Sequence, residues 1–214
     1  RNKYFAPTRG TYQRIRAALN KYFAPTRGTY QRIGAEVALP GSDLEYYKVA
    51  YEFGRYFPLW GEYALLTKAE LGYGDGYGNT STLPFYQNFY AGCVRSVRGF
   101  EDNTLGPTET ASTASSYRQP LGGAFKTVGG LELIIPTPMT KGDSDTAQLS
   151  AFVDVGNVFR NFDAFDSGEL RASAGLSLKW QAPIGPIIIN LVRPIKKQDG
   201  DRTESIQFSF GQQF

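Results

Sequence analysis

The side chains that could do chemistry in this chain are two carboxylates, one arginine and one thiol. Asp154 and Glu132 could act as a paired general acid and base, or both could bind Arg98 as a counter-ion. The chain has no histidine, which excludes the usual catalytic triads and histidine-based metal sites. Cys93 is the only cysteine, so no internal disulfide can form. We therefore favour a structural role for the two carboxylates over a catalytic one, and we expect no enzyme activity, no metal and no cofactor.

Arg98 lies in a long segment, from about residue 75 to residue 124, that shows almost no periodicity. Loops of this length are usually functional or disordered. The first half is rich in aromatic residues, whereas Thr108–Gln119 is rich in Thr, Ser and Ala, and we expect that later part to be mobile. Arg98 is either held by Asp154 and Glu132, which lie on adjacent strands and on the same polar face, or is a solvated loop residue. The residues alone leave both interpretations open.

The elements that would position these side chains are β-strands, because apolar and polar residues alternate with period two in eight segments. Between Leu170 and Trp180, one face carries Leu, Ala and Trp side chains and the other carries Arg, Ser, Gly and Lys. A tight turn before Pro186 predicts that the last three strands form a meander. Several segments reach about ten residues, the length at which a tilted strand crosses a bilayer. The eight segments are Arg32–Leu39, Tyr47–Gly54, Leu65–Gly74, Gly130–Ile135, Gln148–Gly156, Leu170–Trp180, Pro186–Pro194 and Ile206–Phe214.

The charged residues of these strands share the polar faces, and this arrangement bears on the environment of the sheet. A small soluble barrel would have to bury these charges, whereas a membrane barrel places them in a hydrated lumen and directs its apolar face to lipid. A soluble antiparallel sandwich with one solvated face is the alternative. The mean hydropathy of −0.34 suits a barrel whose two faces average out. The charged residues are Lys48, Glu52, Lys68, Glu70, Glu132, Asp154, Arg171 and Lys179.

Length, charge and hydropathy bound the remaining possibilities. The 214 residues suffice for one domain with a sizeable core. No run approaches the roughly 18 apolar residues of a transmembrane helix, and no apolar leader follows Arg1, so we expect neither a spanning helix nor a signal peptide. The net charge of +3 does not favour nucleic acid as a partner.

A perfect repeat occupies the N-terminus. The sequence NKYFAPTRGTYQRI occurs at Asn2–Ile15 and again, letter for letter, at Asn20–Ile33. Natural repeats diverge between copies, so we favour an engineered duplication over a recent natural one. The first copy either adds a ninth strand or stays loosely attached. We therefore divide the chain into a duplicated strand-and-turn segment, residues 1–19, and a main part, residues 20–214, with its long loop at about 75–124.

Several motifs, taken in order along the chain, resemble the barrel of the BamA family of outer-membrane assembly factors. The segment Val97–Phe100 reads VRGF and is similar to the signature of the family's lumen-inserted sixth loop, and Phe152–Gly156 is similar to its FxDxG motif. The resemblance implies that Asp154 and Glu132 receive the loop arginine, and that the chain ends in a C-terminal β-signal beside a seam. It assigns loop docking to Val97, Arg98, Gly99 and Phe100, the lumen partners to Phe152, Asp154, Gly156 and Glu132, and the β-signal to Phe208, Phe210, Gly211 and Phe214.

The resemblance implies an all-β fold, a transmembrane antiparallel β-barrel in the outer membrane of Gram-negative cells. Outer-membrane barrels vary widely in strand number, and the family's barrel of about sixteen strands, preceded by POTRA domains, makes this chain its C-terminal half. The implied function is energy-independent insertion of other barrels, in which a client strand pairs with an edge at a lateral seam. The implied partners are outer-membrane lipid, nascent outer-membrane proteins and other subunits of the assembly machinery.

Two other functions stay open: a truncated or engineered structural barrel that inserts nothing, and a secretion pore of the two-partner type. The strand count also raises a physical problem, because a closed barrel of eight strands has an interior just wide enough for side chains. Either further strands complete the wall around the loop, for example by self-association with a second copy, or the loop is expelled from the lumen.

Overall fold

The structure, a computed structural model, describes residues 15–16, 27–39, 44–112, 115–136, 147–182 and 185–211. Within these ranges eleven strands form. They are Ile15–Arg16 (β1), Gly28–Val37 (β2), Tyr46–Pro58 (β3), Ala64–Gly76 (β4), Thr108–Ser112 (β5), Ser115–Pro120 (β6), Phe125–Ile135 (β7), Ala147–Phe159 (β8), Arg171–Ala182 (β9), Gly185–Lys196 (β10) and Ile206–Phe210 (β11). Two short 3₁₀ turns, Phe85–Gln87 and Ser167–Glu169, complete the elements.

Nine of these strands form one antiparallel sheet in the order β1-β2-β3-β4-β7-β8-β9-β10-β11, and β5 pairs with β6 in a separate hairpin. Each of the eight segments that alternate with period two overlaps a strand of the sheet, although Arg32–Leu39 and Ile206–Phe214 extend beyond their strands. This overlap confirms the predicted all-β antiparallel fold. The strands from β2 to β10 within the sheet are ten to thirteen residues long. That length suffices for a tilted strand to cross a bilayer.

Of the first copy of the N-terminal repeat, the structure describes only the last residue, Ile15, and Arg16 follows it. Ile15 lies opposite Gln31 and Arg16 lies opposite Tyr30, so the first copy begins a ninth strand beside the second copy. Residues 1–14 and 17–19 lie outside the described residues, and the division of the chain at residue 19 therefore stays a prediction.

The segment Thr108–Gln119 differs from the expectation of a mobile stretch, because most of it forms the hairpin of β5 and β6. Threonine is β-branched and favours strands, which offsets the polar composition. The hairpin also has a partner outside itself, since the Arg118 Nη1 atom donates a hydrogen bond to the Asp199 carbonyl oxygen at 3.2 Å.

The sheet exposes apolar side chains on one face and buries polar side chains on the other, which is the reverse of the arrangement in a soluble protein. We call the face on which the long loop packs the inner face and the opposite one the outer face. Apolar side chains of the outer face are exposed, for example Leu131, Leu191 and Phe208 at 51%, 52% and 63%. Charged and polar side chains of the inner face are buried, among them Glu132, Asp154, Ser177, Asn190 and Gln207. This pattern contradicts a soluble sandwich with a solvated polar face and favours lipid on the outer face.

The strand order is linear within the described residues, with β1 at one end and β11 at the other and no pairing between them. The sheet therefore has two edges. None of the described helices is long and apolar enough to span a membrane.

Candidate functional site

The long loop between β4 and β7 folds back over the inner face of the sheet. Two isolated backbone bridges shape it, Phe89 with Gly123 and Ala91 with Leu105. Val97 has no exposed surface, and neither does Phe100, so the apolar residues of the VRGF motif anchor the loop. The buried cluster that they form joins loop residues to β7 and β8 and consists of Ala91, Val97, Phe100, Leu105, Val128 and Val158, with Phe89 packed against it.

Arg98 points from the loop into the sheet and contacts both predicted carboxylates. Its Nε atom donates to Asp154 Oδ2 at 2.5 Å and its Nη2 atom to Asp154 Oδ1 at 2.9 Å, which makes a bidentate pair. Its Nη1 atom donates to Glu132 Oε2 at 3.1 Å. Arg98 is 2% exposed and is therefore not a solvated loop residue. The contact joins the loop to two neighbouring strands, because Glu132 lies on β7 and Asp154 on β8.

Two lysines from other strands complete this charged cluster. Lys68 Nζ on β4 lies 3.1 Å from Asp154 Oδ1, and Lys179 Nζ on β9 lies 2.8 Å from Glu132 Oε1. The hydroxyl of Ser150 also donates to Glu132 Oε1 at 2.7 Å. Three cations thus face two carboxylates, and every carboxylate oxygen has a partner, as buried charges require.

The charge state of Arg98 follows from its surroundings. Burial alone would lower the pKa of the Arg98 guanidinium, but the hydrogen bonds and charges of Asp154 and Glu132 raise the pKa above its ordinary value. The side chain therefore stays positively charged and serves as an anchor rather than as an acid or base.

The aromatic and glycine positions of the FxDxG segment have separate roles. The Phe152 ring lies beneath the guanidinium, with the Arg98 Cζ atom 3.3 Å from the ring centroid, a cation–π arrangement. Gly156 is two residues beyond Asp154, where a Cβ atom would come within 2.6 Å of the Thr127 carbonyl oxygen. Gly156 therefore leaves room for the backbone of β7 beside β8.

Gly99 is required by both backbone conformation and space. Its φ angle is +86°, in the left-handed region that favours glycine. A Cβ atom there would lie 2.6 Å from the Val192 Cγ1 atom of β10. The Gly99 amide donates a hydrogen bond to the Gln207 Oε1 atom of β11 at 3.0 Å.

Of the predicted β-signal residues, the structure describes Phe208, Phe210 and Gly211. The side chains of Phe208 and Phe210 are on the outer face and are 63% and 50% exposed. Gly211 follows with a φ angle of +73°, and its amide donates to the Pro186 carbonyl oxygen at 2.9 Å. Phe214 lies outside the described residues.

Among the residues that contact the loop or its partners and were not assigned to the site from the sequence are Lys68, Lys179, Ser150 and Gln207. The alternating pattern placed the two lysines and Gln207 on polar faces, so the signal for an inward side chain was present. The pattern does not carry the register between strands that are distant in sequence, and this register decides which inward residues meet the loop.

An antiparallel sheet that exposes apolar side chains on one face, and buries charged ones under a docked loop on the other, has the form of a wall segment of a transmembrane β-barrel. The model of the Omp85 superfamily domain matches residues 8–214. The chain belongs to the Omp85 superfamily.

Individual relatives agree with this assignment. The chain is 35% identical over 206 residues to the outer membrane protein assembly factor BamA of Neisseria meningitidis serogroup B, which covers 84% of this chain and 25% of that protein. It is 27% identical over 179 residues to the outer membrane protein assembly factor BamA of Nitratidesulfovibrio vulgaris, and the match covers 81% of this chain and 21% of that protein. The crystal structure of Haemophilus ducreyi BamA lacking POTRA domains 1–3 is similar with a TM-score of 0.79 at 35% identity, covering 89% of this chain and 39% of that one.

These comparisons confirm the resemblance to a BamA barrel, the β-barrel fold class and the location in the outer membrane of Gram-negative cells. The chain spans about a quarter of the length of the curated relatives that it matches.

Proposed function

We propose that this chain is the barrel portion of an outer-membrane protein assembly factor and that it acts without enzymatic chemistry, by presenting the edge of its last strand to a client strand. The names of the relatives support the assembly role. The observation that carries the proposal is the free edge of β11. In the described part of the chain, β11 pairs with β10 on one side and with no strand on the other.

The backbone groups at this edge can be assigned from the strand register. Val192 donates its amide hydrogen to Ser205 O, and Gly211 donates its own to Pro186 O. Backbone hydrogen bonds alternate along an antiparallel pair, so the residues between these two, at every second position, also bond to β10. The residues that direct their N–H and C=O groups to the free edge are Ile206, Phe208 and Phe210.

A client strand that reaches this edge gains backbone hydrogen bonds by β-augmentation. The gain is large in lipid, because no water is present to satisfy free N–H and C=O groups. The seam side of the chain is therefore the segment Thr203–Phe214, in which Ile206, Phe208 and Phe210 present the free edge groups and Thr203 is bridged to the loop residue Phe100. Its partners are outer-membrane lipid, nascent outer-membrane proteins, other assembly subunits and, where copies meet, a second copy of this chain.

The proposal is tested by client insertion into lipid vesicles that contain the chain. A urea-unfolded outer-membrane barrel protein is diluted into the vesicles, and its folding is followed by resistance to protease. Phe208→Pro removes one N–H from the free edge while leaving the ladder to β10 intact. Phe208→Ala removes the same side chain and keeps the N–H, so the ratio of the two rates isolates the backbone donor.

We expect Phe208→Pro to insert the client at least about tenfold more slowly than Phe208→Ala, because an edge hydrogen bond is lost in lipid. Equal rates for the two variants would contradict pairing at this edge. A folded parent chain that accelerates nothing would instead support a truncated or engineered structural barrel. Steady ion conductance in planar bilayers without insertion would support the secretion pore.

A further inference from the structure

The residues just before β11 are paired with the VRGF loop itself. Glu101 N donates to Arg202 O and Glu204 N donates to Gly99 O, both at 3.0 Å, on either side of a bridge between Phe100 and Thr203. The Arg202 and Glu101 side chains form an ion pair across this bridge. The loop thus adds a short antiparallel segment to the chain that leads into the last strand.

Gln207 continues this connection from within β11. Its Oε1 atom accepts the Gly99 amide at 3.0 Å, and its Nε2 atom donates to the Phe100 carbonyl oxygen at 2.9 Å. The Gln207 side chain has no exposed surface. Its backbone lies opposite Asn190 in the ladder to β10. Gln207 therefore takes part in the pairing of β11 with β10 and also makes two buried hydrogen bonds to the loop.

The second anchor of the loop is only one residue away. Arg98 holds the loop to β7 and β8, and the next residue, Gly99, is held by Gln207. A shift of β11 by about 1 Å would stretch both Gln207 hydrogen bonds beyond the range of normal geometry. Such a shift would also pull directly on the Arg98 ion pairs.

We propose that Gln207 is a positioning residue that couples docking of the VRGF loop to placement of the last strand. The strand that offers its outer edge to a client is held on its inner face by the loop, so movement of β11 requires release or accompanying movement of the loop. The importance of this coupling for client pairing rests on the proposed function, whereas the coupling itself does not. A coupling free energy between two sites is reciprocal, and this property makes it testable.

The test measures amide hydrogen exchange, by mass spectrometry, of the full chain folded in lipid vesicles. Gln207→Leu removes both side-chain hydrogen bonds. Gln148→Leu is the matched control, because Gln148 is another buried glutamine of the sheet and its Nε2 atom has no hydrogen-bond partner in the described structure. Arg98→Lys tests the reverse direction, since lysine keeps the charge and loses the bidentate geometry.

We expect Gln207→Leu to raise exchange in residues 97–101 at least about tenfold, because two buried hydrogen bonds are lost. Gln148→Leu should leave that exchange close to the parent rate. Arg98→Lys should raise exchange in residues 205–211, and this increase should be smaller when Gln207 is already leucine. If Gln207 only stabilised the fold, Arg98→Lys would not raise exchange in residues 205–211.

The proposal is wrong if the two leucine variants raise loop exchange equally, or if Arg98→Lys leaves residues 205–211 unchanged. If Gln207→Leu does not fold, Gln207→Glu replaces it, because glutamate keeps the acceptor for Gly99 and opposes the Phe100 carbonyl oxygen. The same variants are assayed for client insertion. If exchange changes as expected while the insertion rate stays the same, the coupling exists but does not serve client insertion. If the parent chain inserts no client, only the proposed function is contradicted.

Discussion

Replacing Arg98 by alanine and replacing Asp154 by alanine should destabilise the folded chain by different amounts. Three cations face two carboxylates in the charged cluster. Without Arg98, Asp154 still has Lys68 at 3.1 Å and Glu132 still has Lys179 at 2.8 Å, so charges are balanced. Without Asp154, three buried or half-buried cations share one carboxylate. The second change leaves the larger uncompensated charge.

Breaking a buried ion pair by removing one partner costs roughly 3–5 kcal/mol. We expect Arg98→Ala to fall near the lower end, about 3 kcal/mol, and Asp154→Ala near the upper end, about 5 kcal/mol. The measurement is urea unfolding in detergent micelles, followed by the fluorescence of Trp60 and Trp180. If the slope of the unfolding free energy against urea concentration is the same in all variants, the substitutions change stability and leave the surface exposed on unfolding unchanged.

Arg32→Ala is the matched control, because the Arg32–Glu52 pair has a similar distance, 2.7 Å, but is largely exposed. Its loss should cost no more than about 1 kcal/mol. A larger loss of unfolding free energy for Arg98→Ala than for Asp154→Ala would refute the argument from uncompensated charge. Losses as small as that of the control in both variants would mean that the cluster is accessible to water and that the loop is not held by it.

Three further predictions concern the loop and the wall around it. Gly99→Ala should lower the free energy of unfolding by about 2–4 kcal/mol in the same urea assay, because of the left-handed φ angle and the clash with Val192. Adding Val192→Ala should restore only the part of the loss that the clash causes, and full restoration would contradict a contribution from backbone strain. Maleimide should label Cys93, which lies in the loop and is half-buried, at least about tenfold faster in Arg98→Ala than in the parent chain, because the loop opens more often; an equal rate would mean that Arg98 does not restrain this part of the loop. Light scattering corrected for bound detergent should give a particle of two or more chains, since unpaired sheet edges associate; a monomer would contradict self-association.

The strands and the Arg98 anchor could be predicted from the sequence for different reasons. Alternation identified all eight long segments, because lipid on one face and a polar lumen on the other impose a strict period of two. The hairpin of β5 and β6 was missed, because its sequence is rich in Thr and Ser and shows no alternation of apolar and polar residues with period two. Gln207 was placed on a polar face, but its contact with Gly99 joins residues more than a hundred positions apart. No local pattern encodes such a register.

The docked loop and the free edge of β11 together constrain how this chain can work. A barrel closed by these strands alone would have room only for side chains, yet Val97, Arg98 and Phe100 occupy its inner face. The loop therefore requires a wider wall, and the free edges are where further strands can attach. A second copy and a client strand would then compete for the N–H and C=O groups of β11. The insertion rate per chain should consequently fall as the ratio of chain to lipid in the vesicles rises, and a rate per chain independent of that ratio would mean that copies and clients do not use the same edge.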